Sequence, residues 1–322
     1  MGNEIRWFDV RVADRRKEAE NIYAFDLVSA DGRDLPHFRA GAHLDIRVGE
    51  MLRQYSLCSS PRERSHYTIA VQREADGRGG SREICDTFFA GKDVTIRGPK
   101  YLFSIVEEGT SAVLMAGGIG IAPLIAMADE FHERGVPFHL HICSRSSDRM
   151  PFSDRIASAQ WGKNTSFYYG DTPAHERVPL TQILGSPVAG RHAYVCGSAK
   201  FVANVLSSAQ SAGWAKDSVH VERFSAPEAI KGNDKAFFIE IGSTGRIVEV
   251  PPGISAIEAL DKAGVEIERS CNDGYCGTCV TKVLRGLPDH RDAVLNDEEH
   301  SRNDVFTPCC SRALSDVLVI DR

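Results

Sequence analysis

The sequence lacks long apolar runs, basic stripes, and repeated or low-complexity segments. In its 322 residues no apolar run approaches the roughly 20 residues that a bilayer-spanning helix needs, so we expect no membrane partner. The absence of a basic stripe argues against nucleic acid as a partner. The opening residues, MGNEIRWFDVRV, lack the apolar core of a signal peptide, and the sequence therefore predicts a cytoplasmic protein.

The composition is that of a globular protein of two or three domains, with 42% hydrophobic and 25% charged residues. Its net charge of −6 is uneven, because residues 236–322 carry 9 Lys and Arg against 15 Asp and Glu while the preceding residues are balanced. Five of the nine cysteines follow residue 270. Such crowding indicates a binding site, and the acidic charge around it is either a solvated surface or a docking face.

Residues 1–104 have the pattern of an antiparallel barrel or sandwich. Three stretches, HLDIRV (43–48), YTIAVQ (67–72) and DVTIRG (93–98), are β-branched or alternating, with turn residues between them. A short helix is predicted from Ser81 to a terminating Gly91.

Residues 105–226 have the alternating pattern of a parallel α/β domain. SAVLMA at 111–116 is a continuous apolar run, as expected of a strand buried on both faces. Further strands are predicted at 138–143, 166–169, 192–196 and 219–222. Helices are predicted from Pro123 to Gly135 and from Ser198 to Gly213, and this alternation indicates a parallel sheet.

The last third is predicted to be a separate domain, 236–322, joined by a linker at 227–235 that has no apolar periodicity. FFIEI and RIVEV predict a hairpin. Ser255 with Glu258 three residues later predicts a capping box at the start of a short helix.

Four cysteines near the end of the chain have the spacing of a plant-type [2Fe–2S] site. Cys271, Cys276 and Cys279 form C-x4-C-x2-C, and Cys309 follows after 29 residues. Two bridged irons need four thiolates, which a tight loop and a returning strand supply. A structural zinc site is the alternative, but zinc modules usually pair two C-x2-C units.

Two features of the cysteine loop refine this hypothesis. Gly274 and Gly277 allow backbone N–H groups to approach the cluster sulfides. The sequence TPCCSRA offers two adjacent candidates for the fourth ligand. Neighbouring strand residues point to opposite sides, so only one of them reaches the cluster, and we choose Cys309 over Cys310.

A glycine-rich turn, MAGGIGIAPL, joins a predicted buried strand to a helix. Gly118, Gly120 and Pro123 form a G-x-G-x-x-P pattern that suits a pyrophosphate at a helix N-terminus, although a plain tight turn remains the alternative. The pattern departs from the usual dinucleotide fingerprint in ending with proline.

Two further strand ends of this domain offer candidate contacts. YVCGSAK places Cys196 and Gly197 at a second strand–helix junction, where Cys196 alone is also typical of a core cysteine. Asp171 follows the third strand, where a carboxylate accepts a hydrogen bond from an adenosine ribose and repels a 2′-phosphate, which favours NADH over NADPH. A turn aspartate is the alternative there.

Two N-terminal stretches together indicate a flavin, although either one alone is also typical of an edge strand or a turn. RQYSLCS places a guanidinium, an aromatic ring and a hydroxyl close together, at Arg53, Tyr55 and Ser56. GRGGSRE brings small residues to a helix start, a ready anion site, at Gly79, Gly80 and Ser81.

Six motifs, taken in their order along the chain, resemble those of the phthalate dioxygenase reductase family, which includes the vanillate demethylase and carnitine monooxygenase reductase components. The motifs are RQYS, GRGGS, GGIGIAP, YVCG, VERF and the cysteine tail. The resemblance covers essentially the whole chain. It implies a ferredoxin-reductase-like flavin β-barrel, a parallel α/β NADH domain and a C-terminal plant-type ferredoxin (β-grasp) domain.

The resemblance also implies residue roles. FMN would be the flavin, with its phosphate at Arg53, Gly80 and Ser81. Tyr55 and Ser56 would line the isoalloxazine, with Ser56 near N5, and Phe224 would cover a ring face. Residues implied for NADH are Gly118, Gly120 and Pro123 at the pyrophosphate, Cys196 near the nicotinamide and Asp171 at the ribose.

Three cofactors in one chain solve a problem of electron counting, since NADH gives two electrons at once and a [2Fe–2S] cluster accepts one. The sequence shows neither a Rieske motif nor an obvious 2-His-1-carboxylate iron site. We therefore expect a monomeric reductase that serves a separate Rieske non-haem iron oxygenase through its acidic ferredoxin face. The alternatives are an FAD-containing reductase of another hydroxylase and a zinc-stabilised nucleotide-binding regulatory module.

Overall fold

The computed structural model describes residues 6–170, 179–224 and 234–322. The chain divides into two compact units, Met1–Arg223 and Phe224–Arg322. The first unit contains two sheets, one on each side of the predicted boundary at residue 104. The three-domain division itself remains a prediction.

The first sheet is a six-stranded antiparallel barrel with the order β4-β3-β6-β1-β2-β5. Its strands are β1 (Trp7–Ala19), β2 (Ile22–Ser29), β3 (Ala42–Val48), β4 (Met51–Ser56), β5 (His66–Gln72) and β6 (Asp93–Tyr101). The two edges meet after β4, where Leu57 forms a bridge with Ile69 of β5. Phe25, Leu44 and Ile69 are fully buried, so the barrel encloses its own apolar core.

The predicted barrel is confirmed, and its three predicted strands correspond to β3, β5 and β6. The helix that follows β5 is α1 (Gly80–Thr87), which ends before the predicted Gly91 because Phe88 already has extended backbone. Gly79 caps α1 with a φ of 91°, a conformation that favours glycine.

The second sheet is five-stranded and parallel throughout, with the order β11-β10-β7-β8-β9. Its strands are β7 (Ser111–Gly117), β8 (Phe138–Ser144), β9 (Thr165–Tyr169), β10 (Arg191–Gly197) and β11 (Val219–Arg223). The central strand β7 is buried on both faces, with Leu114 in one apolar cluster and Val113 in another. All five predicted strands are confirmed.

Four helices connect or follow these strands, namely α2 (Ile121–Glu133), α3 (Ser153–Ser158), α4 (Leu180–Leu184) and α5 (Ala199–Ser211). The predicted N-cap of α5 is confirmed, since the Ser198 hydroxyl accepts a hydrogen bond from the Phe201 N–H at 3.3 Å. From β7 the chain continues to β8 on one side of that strand, and it later returns to place β10 on the other side of β7. The carboxyl end of β7 is therefore a topological switch point, where ligands of such sheets bind.

The second unit has a mixed five-stranded sheet with the order β13-β12-β18-β14-β16, beside a two-stranded β15–β17 ribbon. Its strands are β12 (Phe237–Ile241), β13 (Ile247–Val250), β14 (Thr281–Arg285), β15 (Pro288–Asp289), β16 (Val305–Phe306), β17 (Arg312–Ala313) and β18 (Val317–Ile320). β18 is central and pairs parallel with β12 and antiparallel with β14.

Two helices complete this unit, α6 (Ala256–Lys262) and α7 (Asp297–Arg302). Leu260 of α6 shares a core with Ile239 and Leu318 of the sheet, which is the β-grasp arrangement expected. The predicted hairpin and the capping box of Ser255 and Glu258 are both confirmed. Within the described residues, no helix is long and apolar enough to span a membrane.

Candidate functional site

The glycine-rich turn lies at the carboxyl end of β7, against the corresponding end of β10. A Cβ on Gly120 would lie 2.2 Å from the carbonyl oxygen of Cys196, and one on Gly197 would lie 3.0 Å from the Cα of Gly117. Gly118 has a φ of 56° and open space where a Cβ would point. The glycines therefore bring two strand ends together and leave the turn accessible to a ligand.

Pro123 lies in the first turn of α2, which begins at Ile121, two residues earlier than predicted. Proline is tolerated there because the N–H groups of a first helical turn have no partner within the helix.

Ser56, Cys196 and Glu222 meet within the first unit. Ser56 ends β4 of the barrel, and its hydroxyl donates a hydrogen bond of 2.9 Å to Oε2 of Glu222. Cys196 and Glu222 are paired in register on β10 and β11, and the Cys196 thiol points at the same oxygen from 3.9 Å. The sequence analysis predicted two of these residues, and the structure joins them through a third.

Glu222 is the titratable group of this cluster. Burial raises its pKa to about 7, although the hydrogen bond from Ser56 favours the ionised form. Burial and the neighbouring carboxylate raise the pKa of Cys196 well above that of a free thiol, so Cys196 remains a neutral thiol. The cluster thus holds one carboxyl that changes charge near neutral pH.

The sequence analysis missed Glu222, although it quoted VERF as a motif. A carboxylate at the end of a parallel strand, within a domain already assigned to a nucleotide, was the available signal. Its contact with Ser56, 166 residues away, is a tertiary feature that strand periodicity does not encode.

Arg53 lies against the N-terminus of α1. A Cβ on Gly80 would lie 2.3 Å from the Arg53 Nε, so this glycine is what lets the side chain approach the helix start. The guanidinium also donates to the carbonyl of Leu52 at 2.8 Å. Ser81 is in the first turn, and its hydroxyl accepts from the Glu74 N–H at 3.1 Å. A cation beside a helix N-terminus fits a phosphate group.

For three other predicted residues the structure gives less detail of the surroundings. Tyr55 is on β4, in partial contact with the barrel core, and burial raises the pKa of its phenol. Phe224 directly follows β11 and is 36% exposed. Asp171 lies outside the described residues.

The four cysteines predicted as ligands are all buried in the second unit, the most exposed at 7%. The thiols of Cys279 and Cys309 are 3.2 Å apart although 30 positions separate them. The Cys271 N–H points at the Cys276 sulfur from 3.5 Å. Contacts with the thiols of Cys276 and Cys309 lower the pKa of Cys271. Converging thiols with backbone donors fit a [2Fe–2S] cluster.

Cys310 lies at the edge of this convergence, because its thiol contacts that of Cys309, whereas the Cys309 thiol contacts those of both Cys271 and Cys279. Its thiol lies 3.3 Å from the Thr307 hydroxyl, and a Cβ on Gly274 would lie 2.3 Å from it. Gly274 has a φ of 76°. This geometry favours Cys309 as the fourth ligand and explains why the loop needs glycine at position 274.

Comparison with known proteins finds relatives along nearly the whole chain. Residues 239–314 match the family model described as "2Fe-2S iron-sulfur cluster binding domain", which favours iron–sulfur over zinc. The vanillate O-demethylase oxidoreductase of Pseudomonas sp. (strain HR199 / DSM 7063) is 39% identical over 314 residues, 97% of this chain and 99% of that protein. The phthalate dioxygenase reductase of Burkholderia cepacia is 32% identical over 97% of this chain and 96% of that protein.

Two solved structures extend the likeness. A phthalate dioxygenase reductase structure, described as modular for electron transfer from pyridine nucleotides to [2Fe–2S], matches with a TM-score of 0.74 and 31% identity over 98% of both chains. An intact type IV self-sufficient cytochrome P450 monooxygenase matches with a TM-score of 0.87 and 33% identity, over 98% of this chain and 41% of that one.

These likenesses cover nearly the whole chain and confirm the predicted fold, cofactors and activity class. The chain belongs to the phthalate dioxygenase reductase family, and it is an electron-transferring oxidoreductase that uses NADH, FMN and a [2Fe–2S] cluster and serves an oxygenase system.

Proposed function

We propose that this protein is the reductase component of a two-component Rieske-type oxygenase and passes electrons from NADH through FMN and [2Fe–2S] to a separate terminal oxygenase. The observation that carries the proposal is the convergence of four buried thiols in a chain whose other unit joins a barrel to a nucleotide-type parallel sheet. We further propose that it acts as a monomer in the cytoplasm.

In this proposal Arg53, Gly79, Gly80 and Ser81 hold the FMN phosphate. The side chain of Arg53 packs on Gly80 at the start of α1, where charge and backbone N–H groups favour an anion. Tyr55 and Ser56 line the flavin ring, and Phe224 covers it. Bound FMN supplies the conversion of a two-electron donor into single electrons.

NADH is the substrate, with its pyrophosphate at Gly118, Gly120 and Pro123 and its nicotinamide beside Cys196 and Gly197. The ribose contact assigned to Asp171 is part of the same proposal. Loss of hydride makes the nicotinamide cationic, and the ionised Glu222 beside Cys196 stabilises that developing charge. Ser56 orients the carboxylate through its 2.9 Å hydrogen bond.

Electrons leave through the second unit, where Cys271, Cys276, Cys279 and Cys309 hold the cluster. The acidic balance of residues 236–322 favours a partner with a basic docking surface. We expect the rate of electron transfer to the oxygenase to fall as ionic strength rises from about 0.01 to 0.15 M, because the Debye length shrinks from about 30 to 8 Å. A rate independent of salt contradicts electrostatic docking.

Anaerobic rapid mixing with NADH tests the electron path. We expect flavin absorbance to bleach before cluster absorbance, and Ser56→Ala to slow the first phase while FMN stays bound. Ser65→Ala, at an exposed position of the same unit, is the matched control. Cluster reduction that precedes flavin reduction contradicts the proposed order.

A haem-containing P450 is the second candidate for the electron acceptor. A part amounting to 41% of a self-sufficient P450 monooxygenase matches this chain with a TM-score of 0.87. Reduction of purified Rieske and P450 partners by the same preparation distinguishes the two. The mass of the extracted flavin separates FMN from the FAD expected of the alternative reductase.

A further inference from the structure

Two histidines and an aspartate converge in the second unit, outside the thiol site. His290 follows β15, Asp292 lies two residues later, and His300 is in the last turn of α7. Each offers one ligand atom, and these atoms all lie within 4.8 Å of one another. No regular spacing in the sequence marks these three residues as a group, and the fold brings them together.

The aspartate at the centre is held rigidly. The side chain of Asp292 is fully buried, and its Oδ2 accepts hydrogen bonds from the N–H groups of Val294 at 3.2 Å and Leu295 at 2.8 Å. Its Oδ1 lies 3.3 Å from the His300 Nε2 and 3.7 Å from the His290 Nδ1. The backbone thus orients Oδ2, while the His300 Nε2 lies 3.3 Å from both carboxylate oxygens and the His290 Nδ1 faces Oδ1.

His290 is the unexplained member of this group. Its side chain is 10% exposed, and among the residues that the structure describes neither ring nitrogen has a hydrogen-bond partner. Its ring stacks on that of His300, with centroids 4.4 Å apart and planes 25° apart. A buried imidazole with two unpaired nitrogens is costly, and a bound ion at the Nδ1 removes part of that cost.

We propose that His290, Asp292 and His300 form a binding site for a divalent first-row transition-metal ion of the Zn²⁺ class. Ligand atoms about 2.0–2.1 Å from a tetrahedral ion are roughly 3.3 Å apart, close to the separations of 3.3 and 3.7 Å around Asp292 Oδ1. Two imidazoles with one carboxylate favour such an ion over Mg²⁺ or Ca²⁺. Water completes the coordination.

This site is tied to the cysteine loop by the backbone. The N–H of Ala293 donates to the carbonyl of Gly274 at 2.8 Å, and the N–H of Arg291 donates to the Ser311 hydroxyl at 3.1 Å. The ligand-bearing segment therefore connects the loop of Cys271–Cys279 with the strand that follows Cys309. Ion binding stabilises that connection.

The test is a Zn²⁺ titration of the full chain loaded with FMN and cluster, by calorimetry and by metal analysis after equilibrium dialysis. We expect one equivalent of zinc per chain with iron content unchanged, and X-ray absorption at the zinc edge with nitrogen and oxygen neighbours at about 2.0–2.1 Å and no sulfur at about 2.3 Å. Sulfur neighbours or displaced iron place the zinc at the cysteines and overturn the proposal.

Three variants complete the test. His290→Gln and the more exposed His300→Gln each weaken zinc binding at least tenfold, whereas His132→Gln, at an exposed position on α2, leaves it unchanged. Visible cluster absorbance reports folding of each variant. Unaltered zinc affinity in a folded His300→Gln protein overturns the proposal, as does failure of the wild-type protein to bind one equivalent.

Discussion

Glu222→Gln separates two properties of the Glu222 side chain, because glutamine keeps an acceptor oxygen for Ser56 but cannot ionise. Burial raises the pKa of Glu222 from 4.5 to about 7 in the folded protein. We therefore expect one carboxyl to titrate near neutrality in the wild-type protein and to be missing in the variant. Flavin reduction by NADH should accelerate through pH 7 in the wild-type protein only.

The free-energy cost of ionising Glu222 in the folded protein follows from the size of its pKa shift. A rise from 4.5 to about 7 corresponds to a cost on the order of 3 kcal/mol at about 1.36 kcal/mol per pKa unit. Because the folded-state pKa is the higher one, the folded protein binds the extra proton between these values. The free-energy cost of burying the ionised carboxylate is absent below pH 4.5, grows as pH rises and is complete above about pH 7. Above about pH 7, Glu222→Gln should therefore have a higher thermal stability than the wild-type protein.

Infrared difference titration from about pH 4 to 9 measures the pKa directly, through the carbonyl band of the protonated carboxyl. Ser56→Ala removes a hydrogen bond to the charged form, worth roughly 1.5–3 kcal/mol, and should raise the pKa of Glu222 by a further 1–2 units or so. A wild-type carboxyl that titrates near 4.5, or an unchanged band in Glu222→Gln, refutes the reasoning.

Three further variants test other parts of the site. Cys309→Ser should abolish the cluster's visible absorbance and electron paramagnetic signal, whereas Cys310→Ser should retain both. The reverse pattern would show that Cys310, and not Cys309, is the fourth ligand. Gly120→Ala should lower thermal stability and NADH affinity, since its Cβ would lie 2.2 Å from a carbonyl oxygen of β10. Gly135→Ala has open space for its Cβ but a φ of 66°, so it should lose some stability from backbone strain and still bind NADH normally. Arg53→Gln should weaken FMN binding at least tenfold, or about 1.4 kcal/mol, in a fluorescence titration, and unchanged affinity removes Arg53 from the phosphate site.

The sequence predicts the elements that are buried on both faces. β7 appears as an apolar run because apolar clusters cover both of its faces in the parallel sheet. β1 is different, since its inward residues such as Val10 and Val12 alternate with exposed charged ones, and Arg16 is held by an ion pair to Asp26 of β2. The charged side chains of β1 interrupt its apolar pattern, which is why it was missed, and β2 was missed as well.

The site residues also fall into those that local sequence patterns predict and those that only the fold brings together. The cysteine spacing and the glycine-rich turn are local patterns, so their residues were predicted from the sequence. Glu222 and the His290–His300 group have no regular spacing, and their chemistry depends on which distant residues the fold brings beside them. Burial decides the charge of Glu222, and burial is a tertiary property.

The central position of β18 has a consequence for biosynthesis. Until residues 317–320 leave the ribosome, the sheet of the second unit lacks the strand that pairs with both β12 and β14. The segment bearing Cys309 then has no completed sheet to anchor it. We therefore expect iron and sulfide to be delivered after translation has passed these residues, and a frameshift within them to yield a chain without the absorbance of the iron–sulfur cluster.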